Sequence, residues 1–107
     1  MRSRTTLLMA IGLSVSTAAI AHTDGFASAM DAAMTRMHGA MMTGYSNDPD
    51  CDFARMMIPH HQGAIDMAKV VLQHGKDPET RKMAQEIIAA QEKEIALMKE
   101  WPKKKGQ

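Results

Sequence analysis

Apolar side chains recur every three or four positions along three segments of this chain. That spacing places them on one face of an α-helix, because successive helical residues are rotated by about 100°. The predicted helices cover about residues 26–42, 49–74 and 78–101. Apolar and polar residues alternate in none of these segments, so the pattern predicts no β-strand.

Residues that start or stop helices bound the three segments. Three aspartates precede the first turns and are expected to cap them: Asp24, Asp48 and Asp77. Gly75 is expected to end the second helix, and Pro102 the third. The connection between the second and third helices is very short, so these two helices must be antiparallel neighbours.

The fold class follows from these elements. We predict an all-α fold, a short antiparallel bundle of three helices. The antiparallel pairing places His60 opposite residues 91–94, and Met56 and Met57 opposite the region of Met98. A chain this short has a small core, so it needs close helix packing, a bound metal or a second subunit that completes the bundle by dimerisation.

The amino-terminal segment has the features of a secretory signal peptide. Arg2 and Arg4 precede a short apolar stretch at residues 7–20, and small residues flank Ile20 before His22. The apolar stretch is too short to span a membrane comfortably. We therefore predict a signal peptide at residues 1–21 and a helical domain at residues 22–107. The mature chain would be exported to the periplasm or beyond, without membrane insertion.

Composition excludes several functions. The net charge is only +1, and no basic patch indicates nucleic acid binding. Cys51 is the single cysteine, so it forms no internal disulfide, and we interpret it mainly as an inert residue at a helix start. No phosphate-binding loop, nucleophile motif or paired Glu-x-x-His motif is present, so we do not expect an enzyme.

Methionine is unusually frequent, with twelve in the chain, and it is concentrated in the first helix. The stripe on one face consists of Met30, Met34, Met37 and Met41. His38 lies within one turn of Met34, Met41 and Met42. Thioether sulfur is a soft ligand that favours Cu(I), and imidazole also binds copper. Such a stripe is often only a packing face, but residues 24–57 contain no leucine, isoleucine or valine, which favours metal binding.

Two further Met–His pairs lie in the second helix. Met56 precedes His60 by one turn, and Met57 precedes His61 in the same way. A glutamine or glutamate of the third helix, Gln91 or Glu94, is a candidate acceptor for a histidine N–H, although both are equally consistent with a solvated face. His22, if signal cleavage leaves it first, would offer an α-amino group and an imidazole to Cu(II).

Two sequence motifs then resemble a known family. Residues 50–68 read D-x-x-F-x-x-x-M-I-P-H-H-Q-G-A-I-x-M-A, and residues 84–101 read A-x-x-I-I-x-x-Q-x-x-E-I-x-x-M-x-x-W. Both are similar to the exported, ferritin-like family called domain of unknown function 305. The resemblance implies a fold related to four-helix bundles. One branch, the CopM type, consists of periplasmic copper-binding proteins that contribute to copper tolerance. By this resemblance the implied site positions are Met57, His60, His61, Met67 and Met98.

We therefore expect an exported protein that sequesters or chaperones Cu(I), or Ag(I), through methionine and histidine side chains. Its partners would be metal ions, a copper-exporting or copper-receiving protein, and a second copy of itself. The alternative is a metal-free helical interaction module with a Met-rich docking face. The candidate metal ligands are Met30, Met34, Met37, His38, Met41, Met42, Met56, Met57, His60, His61, Met67, Met98 and His22.

Overall fold

The protein consists of three α-helices. A computed structural model describes the backbone of residues 17–104 and the side chains of residues 25–101. The helices are α1 (Thr17–Met41), α2 (Pro49–His74) and α3 (Pro78–Lys104). Residues 17–104 contain no strand, so the all-α prediction is confirmed. Most of the predicted signal peptide and the side chain of His22 lie outside the described residues.

The outer ends of two helices differ from the sequence prediction. The described part of α1 already includes Thr17, well before the predicted start near Phe26, so Asp24 lies inside the helix and does not cap it. Residues 17–23 include three alanines, which favour helix, and no glycine or proline. α3 continues past Pro102 to Lys104. Proline fits the helical φ angle, so the helix continues through Pro102 at the loss of one i→i−4 hydrogen bond.

The inner ends of α2 and α3 are capped as predicted. The Asp48 carboxylate accepts hydrogen bonds from the backbone N–H groups of Asp50 and Cys51, at 3.1 and 3.2 Å. Asp77 accepts from the Thr80 hydroxyl and backbone N–H, at 2.7 and 2.8 Å. These bonds, the hydroxyl bond first, lower the pKa of Asp77 below its ordinary value. Gly75 ends α2, and its N–H donates to the Val71 carbonyl.

The helices form a single layer with α2 in the middle. α2 packs against both α1 and α3, whereas α1 and α3 make no contact within the described part of the chain. The core lies between α2 and α3 and consists of Ala54, Ile65, Ile95 and Met98, flanked by Met57, Ile58 and Ile88. No large side chain among residues 25–101 is completely buried. The bundle of this chain is therefore open on its faces.

Contacts between α1 and α2 show that these two helices are also antiparallel. Phe26 of α1 makes an edge-to-face contact with His74, with ring centroids 5.9 Å apart. Arg36 lies 3.8 Å from the Asp66 carboxylate, nearer the other end. Among the described residues, no helix is both long and apolar enough to cross a membrane.

Candidate metal centre

A groove between α2 and α3 brings together three of the predicted ligands. It has a volume of about 340 Å³ and is lined by Phe53, Met57, His61, Glu94, Leu97, Met98 and Trp101. Met98 is buried, with 5% of its surface exposed, and Met57 is half-buried. Met57 lines this groove together with Met98, as predicted, whereas Met56, which was predicted to face the same region, does not.

His61 is held by hydrogen bonds at both ring nitrogens. Its Nδ1 lies 2.8 Å from the Met57 carbonyl oxygen. A carbonyl can only accept, so Nδ1 carries a proton and donates to it. Nε2 contacts the Glu94 carboxylate Oε2. A proton must also lie between these two atoms, because two acceptors cannot hydrogen-bond without one.

The contact with Glu94 decides how His61 is able to bind a metal. Nδ1 is committed to the backbone, so Nε2 is the nitrogen that remains for coordination. Glu94 must leave Nε2 before a cation binds there. The Glu94 side chain is 55% exposed, so its carboxylate has room to turn toward solvent or to become a ligand itself. Glu94 is therefore the movable group of the groove.

His60 is placed differently from the sequence prediction. The antiparallel pairing predicted His60 opposite residues 91–94, but His61 occupies that position and His60 is exposed. Their ring centroids are 6.2 Å apart. Adjacent helical residues differ by about 100° in direction, so only one of the two points to α3. The sequence proposed Gln91 or Glu94 as the acceptor for a histidine, and Glu94 is the one that contacts His61.

The methionines of α1 lie away from this groove. Met37 packs directly on the backbone of Gly63: a Cβ atom at Gly63 would lie 2.3 Å from the Met37 sulfur. This contact explains why a glycine follows the two histidines and Gln62 in α2. The groove of Met57, His61 and Met98 is lined by residues of α2 and α3, and no α1 methionine is among them.

The remaining candidates vary in exposure. The half-buried ones are Met30, Met34, Met41, Met56 and Met67, and the exposed ones are His38 and Met42. Met67 lines a second groove between α2 and α3, of about 240 Å³, together with Met83 and Ile87. It therefore does not share the groove of His61.

Three groove residues were not among the candidate ligands or their acceptors. Phe53 and Trp101 stack at one end, with ring centroids 6.4 Å apart and planes at 18°, and Leu97 lines the same groove. Their positions could have been predicted from sequence spacing. Phe53 lies one turn before Met57, and Trp101 lies three residues after Met98, so each shares a helix face with a groove methionine. Within residues 25–101, no three His, Cys, Asp or Glu side chains gather at one point.

The geometry defines a class: an all-α protein with thioether, imidazole and carboxylate groups in one interhelical groove. The chain belongs to the family described as Domain of unknown function (DUF305), whose sequence model matches residues 1–102. The motif-based prediction of this family is therefore confirmed. The chain is also 41% identical over 49 residues to "Uncharacterized protein L153" of Acanthamoeba polyphaga mimivirus. That alignment covers 46% of this chain and 32% of the viral protein.

Proposed function

We propose that this protein is an exported copper-binding protein that sequesters or chaperones Cu(I) in the groove between α2 and α3. The observation that carries the proposal is the convergence of Met57, His61 and Met98 on one groove. Copper is the cargo of this site. Two thioethers and one imidazole are a donor set suited to Cu(I) or Ag(I) rather than to Mg²⁺ or Ca²⁺.

The chemistry of the donors fits an exported protein. Thioethers carry no proton, so Met57 and Met98 are ready to bind without deprotonation. They are also not consumed as cysteine thiolates are in an oxidising compartment. His61 is the one ligand of the three that cannot bind Cu(I) at once, because Glu94 must first move away from its Nε2. The buried Met98 and His61 would hold the cation partly away from solvent.

The methionines of α1 supply a second copper-binding segment in this proposal. Its donors are Met30, Met34, Met37, Met41 and Met42 with His38, and Met56, His60 and Met67 extend the set on α2. Cu(II) chelation at His22 belongs to the same proposal. The protein would act as a CopM-type member of its family, exported to the periplasm by residues 1–21. It would contribute to copper tolerance and exchange metal with a copper exporter or acceptor.

An anaerobic Cu(I) titration against a competing chelator tests the proposal. We expect tight binding that weakens in the double variant Met57→Leu/Met98→Leu, because leucine keeps the apolar volume and removes the sulfur. Met83→Leu is the matched control, since Met83 is an exposed methionine of α3 outside this groove. X-ray absorption of the loaded protein should show sulfur and nitrogen ligands together.

The same titration separates the rival function, a metal-free interaction module. That module predicts no tight Cu(I) binding and nearly neutral effects of Met→Leu changes. A reduced protein that takes up no Cu(I) at micromolar concentration would refute copper binding. Equal affinity in the double variant and in the Met83→Leu control would refute the groove as the site.

A further inference from the structure

An aromatic pair lines one end of the groove that contains Met57, His61 and Met98. Phe53 and Trp101 stack with centroids 6.4 Å apart, yet they remain 51% and 42% exposed. Both line the same groove as Met57 and Met98. Large aromatic side chains of this kind usually bury more of their surface in a core. Their position beside a pair of thioethers suggests a role toward what the groove binds.

The helix geometry places Phe53 and Trp101 about one turn away from Met57 and Met98. Phe53, Met57 and His61 follow each other by four residues on α2, a rise of about 6 Å at each step. On α3, Trp101 follows Met98 by three residues and Glu94 by seven. A helical side chain leans toward the amino terminus of its helix, so Trp101 leans from its own turn toward that of Met98.

We propose that Trp101, supported by Phe53, is the residue that makes the groove selective for a soft monovalent cation. Its indole face forms the apolar wall beside the two thioethers and excludes water from them. A weakly hydrated Cu(I) or Ag(I) ion gains a cation–π contact there. Strongly hydrated Zn(II) or Cu(II) would have to lose water against an apolar surface. This inference rests on the proposed function, because it assumes that the groove holds the metal.

The chain provides a direct spectroscopic readout. Trp101 is its only tryptophan, so selectively excited indole emission reports on this wall without any mutation. We would titrate the purified protein with Ag(I), which is redox-stable, and measure bound silver independently by equilibrium dialysis. We expect the emission to change saturably, with the same midpoint as the occupancy of the Met57–Met98 site. The change should disappear in Met57→Leu/Met98→Leu and persist in Met83→Leu.

Variants then test selectivity. Trp101→Leu should weaken Ag(I) binding by roughly two- to thirtyfold, the range of a cation–π contact, and leave Zn(II) binding unchanged. Trp101→Phe should recover most of the affinity. Tyr45→Leu is the matched control, because Tyr45 is an exposed aromatic residue outside the groove. Far-ultraviolet circular dichroism confirms that each variant is folded, and the emission titration of the unmodified protein needs no variant.

The outcomes distinguish this inference from the proposed function. If silver binds with unchanged affinity in Trp101→Leu, and the emission of the unmodified protein does not respond, the proposed role of Trp101 is refuted. The proposal that the groove binds copper is not affected by that result. If dialysis shows no bound silver at all, both proposals are overturned. A parallel weakening of Ag(I) and Zn(II) in Trp101→Leu would also overturn the claim of selectivity.

Discussion

The contact between Met37 and Gly63 makes a quantitative prediction about how α1 is held to α2. In Gly63→Ala, the new Cβ would lie 2.3 Å from the Met37 sulfur, 2.6 Å from its Cγ and 2.8 Å from its Cβ. The sulfur can rotate away, but the backbone fixes the position of the Met37 Cβ. The substitution therefore forces α1 and α2 apart.

The magnitude follows from two opposing terms. Alanine in place of glycine inside a helix stabilises by up to about 1 kcal/mol. Overpacking a tight contact costs roughly 1–3 kcal/mol. Because the overlap involves three atoms of Met37, we expect the cost to exceed the gain. Gly63→Ala should lower the free energy of unfolding by about 1 kcal/mol or more.

A matched glycine in the same protein isolates the contact. A Cβ at Gly39, in α1, would meet nothing within 4 Å. Gly39→Ala should therefore stabilise the protein by up to about 1 kcal/mol. Urea unfolding followed by circular dichroism measures both variants. In a Met37→Gly background all three overlapping atoms are absent, so Gly63→Ala should cost at least about 0.5 kcal/mol less there than in the unmodified chain. If Gly63→Ala stabilises as much as Gly39→Ala, the packing of α1 on α2 is not as described.

The remaining predictions concern charge, pH and assembly. Glu94→Gln should tighten Cu(I) binding, because an amide forms a weaker hydrogen bond than a carboxylate with the N–H at Nε2 of His61. A competition titration measures the affinity. Weaker binding in the variant would instead indicate that Glu94 is itself a ligand. Asp77→Ala should lower the melting temperature at neutral pH. The lowered pKa of Asp77 contributes its full stabilisation above the ordinary aspartate pKa, and this contribution is lost as pH falls through the folded pKa. The difference in melting temperature should therefore shrink over that range, and a constant difference would contradict the cap. Asp77→Asn should melt without that pH dependence. The triple variant His38→Ala/His60→Ala/His61→Ala should bind Cu(I) more weakly in the competition titration, because it lacks the imidazole donors. Unchanged affinity in it would refute mixed sulfur–nitrogen ligation. Sedimentation equilibrium tests the predicted dimer, and a monomer at all concentrations would refute it.

Much of the fold was predictable because its signals are local. The Asp48 and Asp77 caps act within three residues, and Gly75 bonds to a carbonyl four residues back. Interactions of this range can be recognised from neighbouring letters alone. The predicted positions of the outer ends of α1 and α3 were wrong, because helix propensity and a terminal proline are weaker signals than a capping residue.

The candidate site was predictable only in part. Sequence spacing and the family resemblance included Met57, His61 and Met98 among thirteen candidate ligands, and proposed Gln91 or Glu94 as an acceptor for a histidine. They did not separate His61 from His60. Phe53 and Trp101 are both part of the family motifs, but the sequence did not predict that they contact each other. They lie on two different helices, and only the packing of α2 against α3 brings them together.

The sequence by itself determined the three helices, their inner caps, the family and the donor chemistry, since each depends on residue type and on spacing within a few turns. The tertiary structure alone decided which histidine meets Glu94, that Met37 lies on Gly63, and that α1 stays apart from α3. These depend on how far each helix is rotated about its own axis against its neighbours. That rotation is set by the packing of all contacting side chains at once, so no local stretch of sequence contains it.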